Sequence, residues 1–228
     1  MAKHPQRDYL VQLLKSKSVL KQEIYQNTIA WFSIFKEKLN ECLEILSHDI
    51  NDPRVRLRLD EKSDTEAHLY IGSDVLIFSM HTNVFKLSDN DFASKTSYVK
   101  DNEENGFCGV IHIYDFLADS YEFNRPNDLG YLIGRVFINR ENHFQLEGKG
   151  KVAMLYRDFM HDVITPDIVK DIIFRISIYA LEFDLLNPPY NTISQVSVYE
   201  LQTLSNSSTL KTGKRLGFKF KSSGGITA

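Results

Sequence analysis

The sequence predicts an α+β domain in which a curved antiparallel sheet of about six to seven strands carries two long helices on one face. Two observations lead to this fold class. A helical period comes before and after a long run of segments in which apolar and polar residues alternate. Short turns rich in Gly, Asn and Asp join these segments without intervening helices, which favours antiparallel pairing. We expect residues 1–221 to form one domain and residues 222–228 to be a disordered tail.

The first long element is an amphipathic helix predicted over residues 18–50. Apolar side chains recur at helical spacing from Leu20 to Ile50, and polar side chains occupy the opposite side. At roughly 45 Å, such a helix spans a domain of this size from end to end. Residues 1–17 are predicted to form a short helical lead-in. Its expected anchors are Tyr9, Leu10, Leu13 and Leu14.

The second long helix is predicted over residues 166–186. Thr165 suits the N-cap and Pro166 the first helical position, and the helix ends before Pro188. Its broad apolar face is expected to pack on the sheet. A narrower apolar stripe on the opposite side is expected to pack on the first helix or, alternatively, to bind another molecule. The residues of this predicted partner-binding stripe are Phe174, Ile178, Leu181 and Leu185.

The strands are predicted between the two helices, over residues 54–159. Three antiparallel strands follow the first helix, and a second set begins at Gly106 and includes a hairpin with a tight turn at Glu141 and Asn142. Ser88 to Asn105 is expected to be a solvated loop. A last strand is predicted over residues 193–204.

The composition limits the classes of function. The net charge of −3 and the pI near 6.2 give no overall attraction to nucleic acid or to an anionic membrane. Cys42 and Cys108 are the only cysteines, which predicts neither a disulfide framework nor a zinc cluster. We see no secretory signal and no apolar stretch long enough to span a membrane, so we expect a cytoplasmic protein. High Lys, Asn, Ile and Phe content is typical of AT-rich bacterial genomes.

Several catalytic and cofactor motifs are missing from the sequence. It contains no GxGxxG or GxxxxGK[ST] phosphate loop, no HExxH zinc motif and no GxSxG nucleophile elbow. The sequence therefore predicts no cofactor and no zinc site.

One arrangement of residues suggests a metal-dependent nuclease. Glu147 and Lys149 form a Glu-x-Lys pattern, and such patterns can hold Mg²⁺ together with an acid from a neighbouring strand. A tight turn at Glu141 and Asn142 pairs Val136 with Glu147. If Phe123 also pairs with Gly130, Asp115 lies opposite Ile138 and one strand step from Glu147. Asp115, Glu147 and Lys149 are the candidate catalytic residues. The alternative is that they are solvated charges on an exposed strand face.

The segment from Leu210 to Lys221 is basic and contains no acidic residue. Positive charges interleaved with aromatic rings can bind a single nucleic-acid strand. The alternative is an edge strand whose lysines face water. The candidate nucleic-acid-binding residues are Lys211, Lys214, Arg215, Phe218, Lys219 and Lys221.

The leading hypothesis from the sequence is a non-enzymatic binding or assembly module of a cytosolic complex. Self-association through the long helix or through an uncovered sheet edge fits this hypothesis. The competing hypothesis is a nucleic-acid-binding factor or nuclease that uses Asp115, Glu147, Lys149 and the basic segment.

Overall fold

One helix of 45 residues forms the N-terminal part of the protein. The computed structural model describes residues 4–183 and 197–199. The helix consists of α1 (Pro5–Leu13), a π-helical turn (Leu14–Ser18) and α2 (Val19–Asp49). The predicted long helix is confirmed, and the lead-in before it is a direct continuation of the same helix rather than a separate element.

A seven-stranded antiparallel sheet follows the long helix, and the predicted fold class is confirmed. The spatial order is β1-β2-β3-β5-β6-β7, and the short β4 pairs with an end of β5. The strands are β1 (Leu57–Ser63), β2 (Glu66–Ile71), β3 (Asp74–Met80), β4 (Phe85–Lys86), β5 (Phe107–Leu117), β6 (Tyr131–Ile138) and β7 (Phe144–Gly148).

Both helices pack on the same face of the sheet. The main core joins α2, α5 (Pro166–Leu181) and the inward side chains of β2, β3, β5, β6 and β7. Phe32 and Phe35 of α2 are fully buried against it, as is Ile172 of α5. Glu41 of α2 accepts hydrogen bonds from Lys170 of α5 and from Lys38, and these bonds lower the pKa of Glu41 to about 2. The two helices are thus joined by apolar packing and by an ion pair.

Two smaller clusters cover parts of the opposite, outer face of the sheet. One cluster lies under the segment from Leu87 to Gly106, where Ala93 and Val99 are buried together with Cys108 of β5. This segment was predicted to be a solvated loop, but it contains α3 (Ser97–Asp101) and two 3₁₀ turns. The other cluster lies under α4 (Ala118–Glu122).

Several predicted bounds differ from the structure. The last strand of the sheet ends at Gly148, because Gly150 adopts a φ of 56° and the chain turns into a 3₁₀ helix. Helix α5 ends at Leu181, five residues before its predicted end. Of the strand predicted over 193–204, only residues 197–199 are described, and Val198 and Tyr199 are helical there. Leu185, the basic segment and the tail lie outside the described residues, and within the described part no helix could cross a membrane.

The turn between β6 and β7 holds α2 on the sheet through hydrogen bonds. Asn27 donates to the carbonyl oxygen of Asn139 at 2.8 Å, and the indole N–H of Trp31 donates to Oδ1 of Asn142 at 2.7 Å. Asn139 is fully buried, and its Oδ1 accepts from the backbone N–H groups of Glu141 and His143. The turn is therefore stabilised by hydrogen bonds to the side chain of Asn139 and is joined to α2 by hydrogen bonds from Asn27 and Trp31.

Asn142 stabilises the turn in two ways: its side chain accepts the hydrogen bond from Trp31, and its residue type tolerates a φ of 68°. Two substitutions at this position separate the two effects. We expect Asn142→Gly to lower the free energy of unfolding by about 1–3 kcal/mol through loss of the acceptor for Trp31. Asn142→Ala should cost roughly 1 kcal/mol more, because the left-handed backbone is strained for Ala. Urea unfolding followed by the fluorescence of Trp31, the only tryptophan, measures both variants. Equal losses would contradict the role given to the backbone.

Helix α2 packs closely on the sheet at Gly109 of β5. A Cβ atom at this position would lie 1.9 Å from Oγ1 of Thr28, which is itself fully buried. Thr28 is fixed by a 2.7 Å hydrogen bond to the carbonyl oxygen of Ile24. The helix therefore cannot approach the sheet this closely unless residue 109 lacks a side chain.

We expect Gly109→Ala to lower the free energy of unfolding by about 1–3 kcal/mol, since α2 must move away from β5. Gly134→Ala is the matched control on β6. Its new Cβ would lie 3.3 Å from the flexible end of Ile176, so its effect should stay within about 1 kcal/mol. Chemical denaturation of both variants tests the difference, and an equally mild Gly109→Ala would contradict the close packing described here.

Candidate functional site

Asp115, a predicted catalytic residue, lies on the helix-facing side of the sheet. It pairs with Leu76 of β3 and with Tyr131 of β6, and its side chain is 3% exposed. The predicted pairing of Asp115 with Ile138 is wrong, because β5 ends at Leu117 and the chain turns into α4. Ile138 pairs instead with Gly109 at the other end of β5.

Glu147, the second predicted catalytic residue, lies on the outer face. The predicted pairing of Glu147 with Val136 is wrong by one residue, since Arg135 is its partner. The hairpin connection runs from Asn139 to His143 and is longer than the predicted turn. A slip of one residue moves every side chain to the other face of a sheet. Glu147 therefore forms an ion pair with Arg135 on the outer face.

The three predicted catalytic residues are thus not brought together. Asp115 and Glu147 face opposite sides of the sheet, and their partners Tyr131 and Arg135 lie four positions apart along β6. Lys149 follows the end of β7. Among the described residues, no group of three His, Cys, Asp or Glu side chains could hold a metal ion. This geometry does not support the shared metal ion on which the nuclease hypothesis was based.

The open part of the outer face carries a row of aromatic and polar side chains. The ring of His112 lies 6.1 Å from that of His81 and 5.8 Å from that of Tyr114. Burial lowers the pKa of His112, and the nearby Arg135 and His81 lower it further. His112 is therefore neutral near pH 7. Glu147 pairs with Arg135, so the positive charge of Arg135 is balanced within this surface.

The predicted partner-binding stripe of α5 is partly exposed. Ile178 and Leu181 are 56% and 48% exposed, whereas Phe174 packs against the main core. The prediction that the first helix covers this stripe is therefore wrong at Ile178 and Leu181. Beside Ile178 lies a small cavity of about 120 Å³, with Val152 and Leu155 in its lining. Charged side chains surround it, including the ion pair between Lys151 and Glu182.

The first part of the long helix exposes several large apolar side chains close together. We call Pro5–Ser18 the N-terminal arm. None of its residues is buried, and Leu20 is the first buried residue of the helix. The arm therefore contributes no buried side chain to the packed body, and its contact with the sheet is at Lys17, whose Nζ lies 6.0 Å from the centre of the Phe107 ring. Its apolar stripe consists of Tyr9, Leu10, Leu13 and Leu14, which are 63%, 55%, 37% and 52% exposed.

The sequence predicted these four residues as anchors against the body, and that prediction is wrong. In an uninterrupted α-helix, Tyr9 and Leu13 would lie on the same side as Leu20. The π-helical turn between Leu14 and Ser18 changes this phase by about a quarter turn. The stripe is therefore rotated out of line with the face that α2 buries. The run Lys15-Ser16-Lys17-Ser18, which separates the two apolar patterns, is the sequence signal for this boundary.

A shallow groove continues from the arm along the exposed side of α2. Its volume is about 430 Å³, and its surface is almost entirely apolar. Val19, which is 47% exposed, lies near its centre. The residues that line the groove are Leu14, Ser18, Val19, Gln22, Glu23 and Gln26.

Charge is distributed unevenly along the chain. Residues outside the described ranges hold six Lys or Arg and two Asp or Glu, so the net charge of −3 for the chain becomes −7 for its described part. The described body is therefore acidic, and the basic charges concentrate near the C-terminus of the sequence. Comparison with known protein families, curated proteins and solved structures gives no match for this chain.

Proposed function

We propose that this protein is a non-enzymatic binding module of a multiprotein complex in the bacterial cytoplasm. The N-terminal arm is its binding element. The observation that carries this proposal is the exposure of the apolar stripe on a helix that contributes nothing to the core. The free thiols of Cys42 and Cys108 fit a reducing compartment.

The arm has the features of a helix that binds in a groove of another protein. Its large apolar side chains recur at i, i+3 and i+4, the spacing with which amphipathic helices enter apolar grooves. A helix this short is only marginally stable alone, but the arm continues α2 and needs no nucleation of its own. Its shape is thus set before binding, which lowers the entropic cost of association.

Ile178 and Leu181 offer a second contact surface for the same complex. They are exposed on α5, next to the small cavity lined in part by Val152 and Leu155. Charged groups such as Lys151 and Glu182 flank this patch, as is usual at the rim of a protein interface. We assign the arm the primary role, because four large apolar side chains are exposed there together.

Photo-crosslinking from the arm tests this function. A photo-reactive phenylalanine analogue replaces Leu10, within the stripe, or Gln12, on the other side of the same helix. In the native host, we expect the Leu10 position to crosslink to a polypeptide at least about tenfold more efficiently than the Gln12 position, because only the stripe is buried in the complex.

Mass spectrometry of the crosslinked band identifies the polypeptide. The Gln12 position is the matched control for non-specific crosslinking, because both sites lie on α1, which has no buried residue. Equal yields from the two positions, or no crosslink from either, would reject the arm as a binding element.

Nucleic-acid binding through Leu210 to Lys221 is the second candidate function. The charge segregation favours it, because five positive charges lie in this segment while the described body has a net charge of −7. A polyanion would thus be attracted to the segment and repelled by the body. This candidate requires binding only and assigns no cleavage to Asp115 and Glu147.

A gel-retardation assay with labelled single- and double-stranded DNA and RNA tests this candidate. If the five charges contact phosphates, affinity should fall about a hundredfold between 50 and 200 mM salt. A variant with Lys211, Lys214, Lys219 and Lys221 changed to Gln should lose the retardation. Retardation that is insensitive to salt would contradict the candidate, and cleavage that requires Mg²⁺ or Mn²⁺ would revive the nuclease hypothesis.

A further inference from the structure

We propose that the occupant of the N-terminal arm is a second copy of this chain, and that the two arms pair antiparallel about a two-fold axis near Leu14. This inference rests on the proposed function, since it names the polypeptide that the arm binds. The two arms would form an isologous interface, in which each copy contributes the same surface.

The exposed surface of the helix is complementary to itself. Arg7, Leu10 and Leu14 are separated by three and four residues and share one side of the arm. The groove continues this side past Leu14 to Val19 and Glu23. In an antiparallel pair, the apolar stripe of one copy lies along the groove of the other. Tyr9 and Leu10 then lie beside Val19 of the second copy.

Charge complementarity selects the antiparallel direction. With Leu14 near the two-fold axis, Arg7 of one copy lies less than one helical turn along the helix axis from Glu23 of the other copy. The two-fold symmetry creates this Arg7–Glu23 pair twice. A parallel pair would instead place Arg7 against Arg7 and Glu23 against Glu23. Like charges in contact oppose association, so the register of charges favours the antiparallel pair.

The apolar area is sufficient for a specific contact. Five side chains on each copy are between 37% and 63% exposed, namely Tyr9, Leu10, Leu13, Leu14 and Val19. Covering them removes on the order of 500 Å² of surface from each copy, or about 1,000 Å² in total, which is the minimum area expected of a biological interface. The flanking polar side chains add to this area.

The antiparallel arrangement also keeps the two bodies apart. Each arm extends about 20 Å beyond the first buried residue of its helix. Opposite directions place the two bodies at opposite ends of the paired arms. The two acidic bodies, each with a net charge of −7 in its described part, are then well separated.

Sedimentation equilibrium of the full chain measures the self-association. We expect a species of twice the 26.4 kDa mass of one chain. Changing both Leu10 and Leu14 to Ser should weaken dimerisation by a hundredfold or more on an order-of-magnitude estimate, because four leucines leave the interface. Changing both Gln12 and Lys15 to Ser is the matched control, with the same loss of helix propensity on the other side of the arm.

Cysteine crosslinking tests the direction of the pair. Cys42 and Cys108 are 1% and 0% exposed, so cysteines introduced on the surface react selectively. When Arg7→Cys and Glu23→Cys chains are mixed and oxidised, we expect the disulfide to join residue 7 of one chain to residue 23 of the other. Disulfides formed mainly between two residues 7 would overturn the antiparallel arrangement.

The outcomes separate this inference from the proposed function. A monomer at all concentrations, or a dimer that the Leu10→Ser/Leu14→Ser variant leaves intact, overturns pairing through the arms. If Leu10 still crosslinks to a different polypeptide in that case, the proposed function stands and only the second copy is rejected. If Leu10 crosslinks to nothing, both fail. A dimer lost in the stripe variant and retained in the control supports both.

Discussion

The contact between α2 and the turn at Asn139 to His143 fixes the long helix on the sheet. Asn27 and Trp31 donate hydrogen bonds to this turn, and the side chain of Asn139 accepts two further bonds from the backbone N–H groups of Glu141 and His143. One helical position from Asn27, Thr28 meets the backbone of Gly109 with no side chain between them. These contacts lie near one end of the packed part of the helix, so they also determine where the helix leaves the body. The course of the arm follows from them.

The packed and unpacked parts of this helix depend on each other. The 31 residues of α2 are stabilised by the core, and they supply the helical nucleus from which the arm extends. Without that nucleus, Pro5 to Ser18 would be too short for a stable helix in water. An arm held in this way can present Leu10 and Leu14 at fixed positions without burying them in its own domain. The core therefore stabilises the helical conformation of the arm through α2, although the arm itself stays exposed.

The fold was predictable where local signals sufficed. The helical period from Leu20 placed the first helix correctly, and the cap at Thr165 placed the start of the second, because capping and amphipathicity depend on near neighbours. The site was less predictable, since strand register depends on the length of each connection. One additional residue in the hairpin loop moved Glu147 to the other face, and the helix α4 separated Asp115 from its predicted partner. The run Lys15-Ser16-Lys17-Ser18 marks the boundary between the two apolar patterns, but it does not predict the π-helical turn that rotates the arm.

The side chains of the outer face already interact with one another, whereas the apolar side chains of the arm are exposed to water. On the outer face, Arg135 pairs with Glu147, and Gln145 donates to Asp91. A ligand there would have to replace interactions that already exist, and this reduces the net free energy of binding. On the arm, the side chain of Leu14 remains largely in water, and covering it displaces only water. Association at the arm therefore replaces fewer existing interactions than association at the outer face.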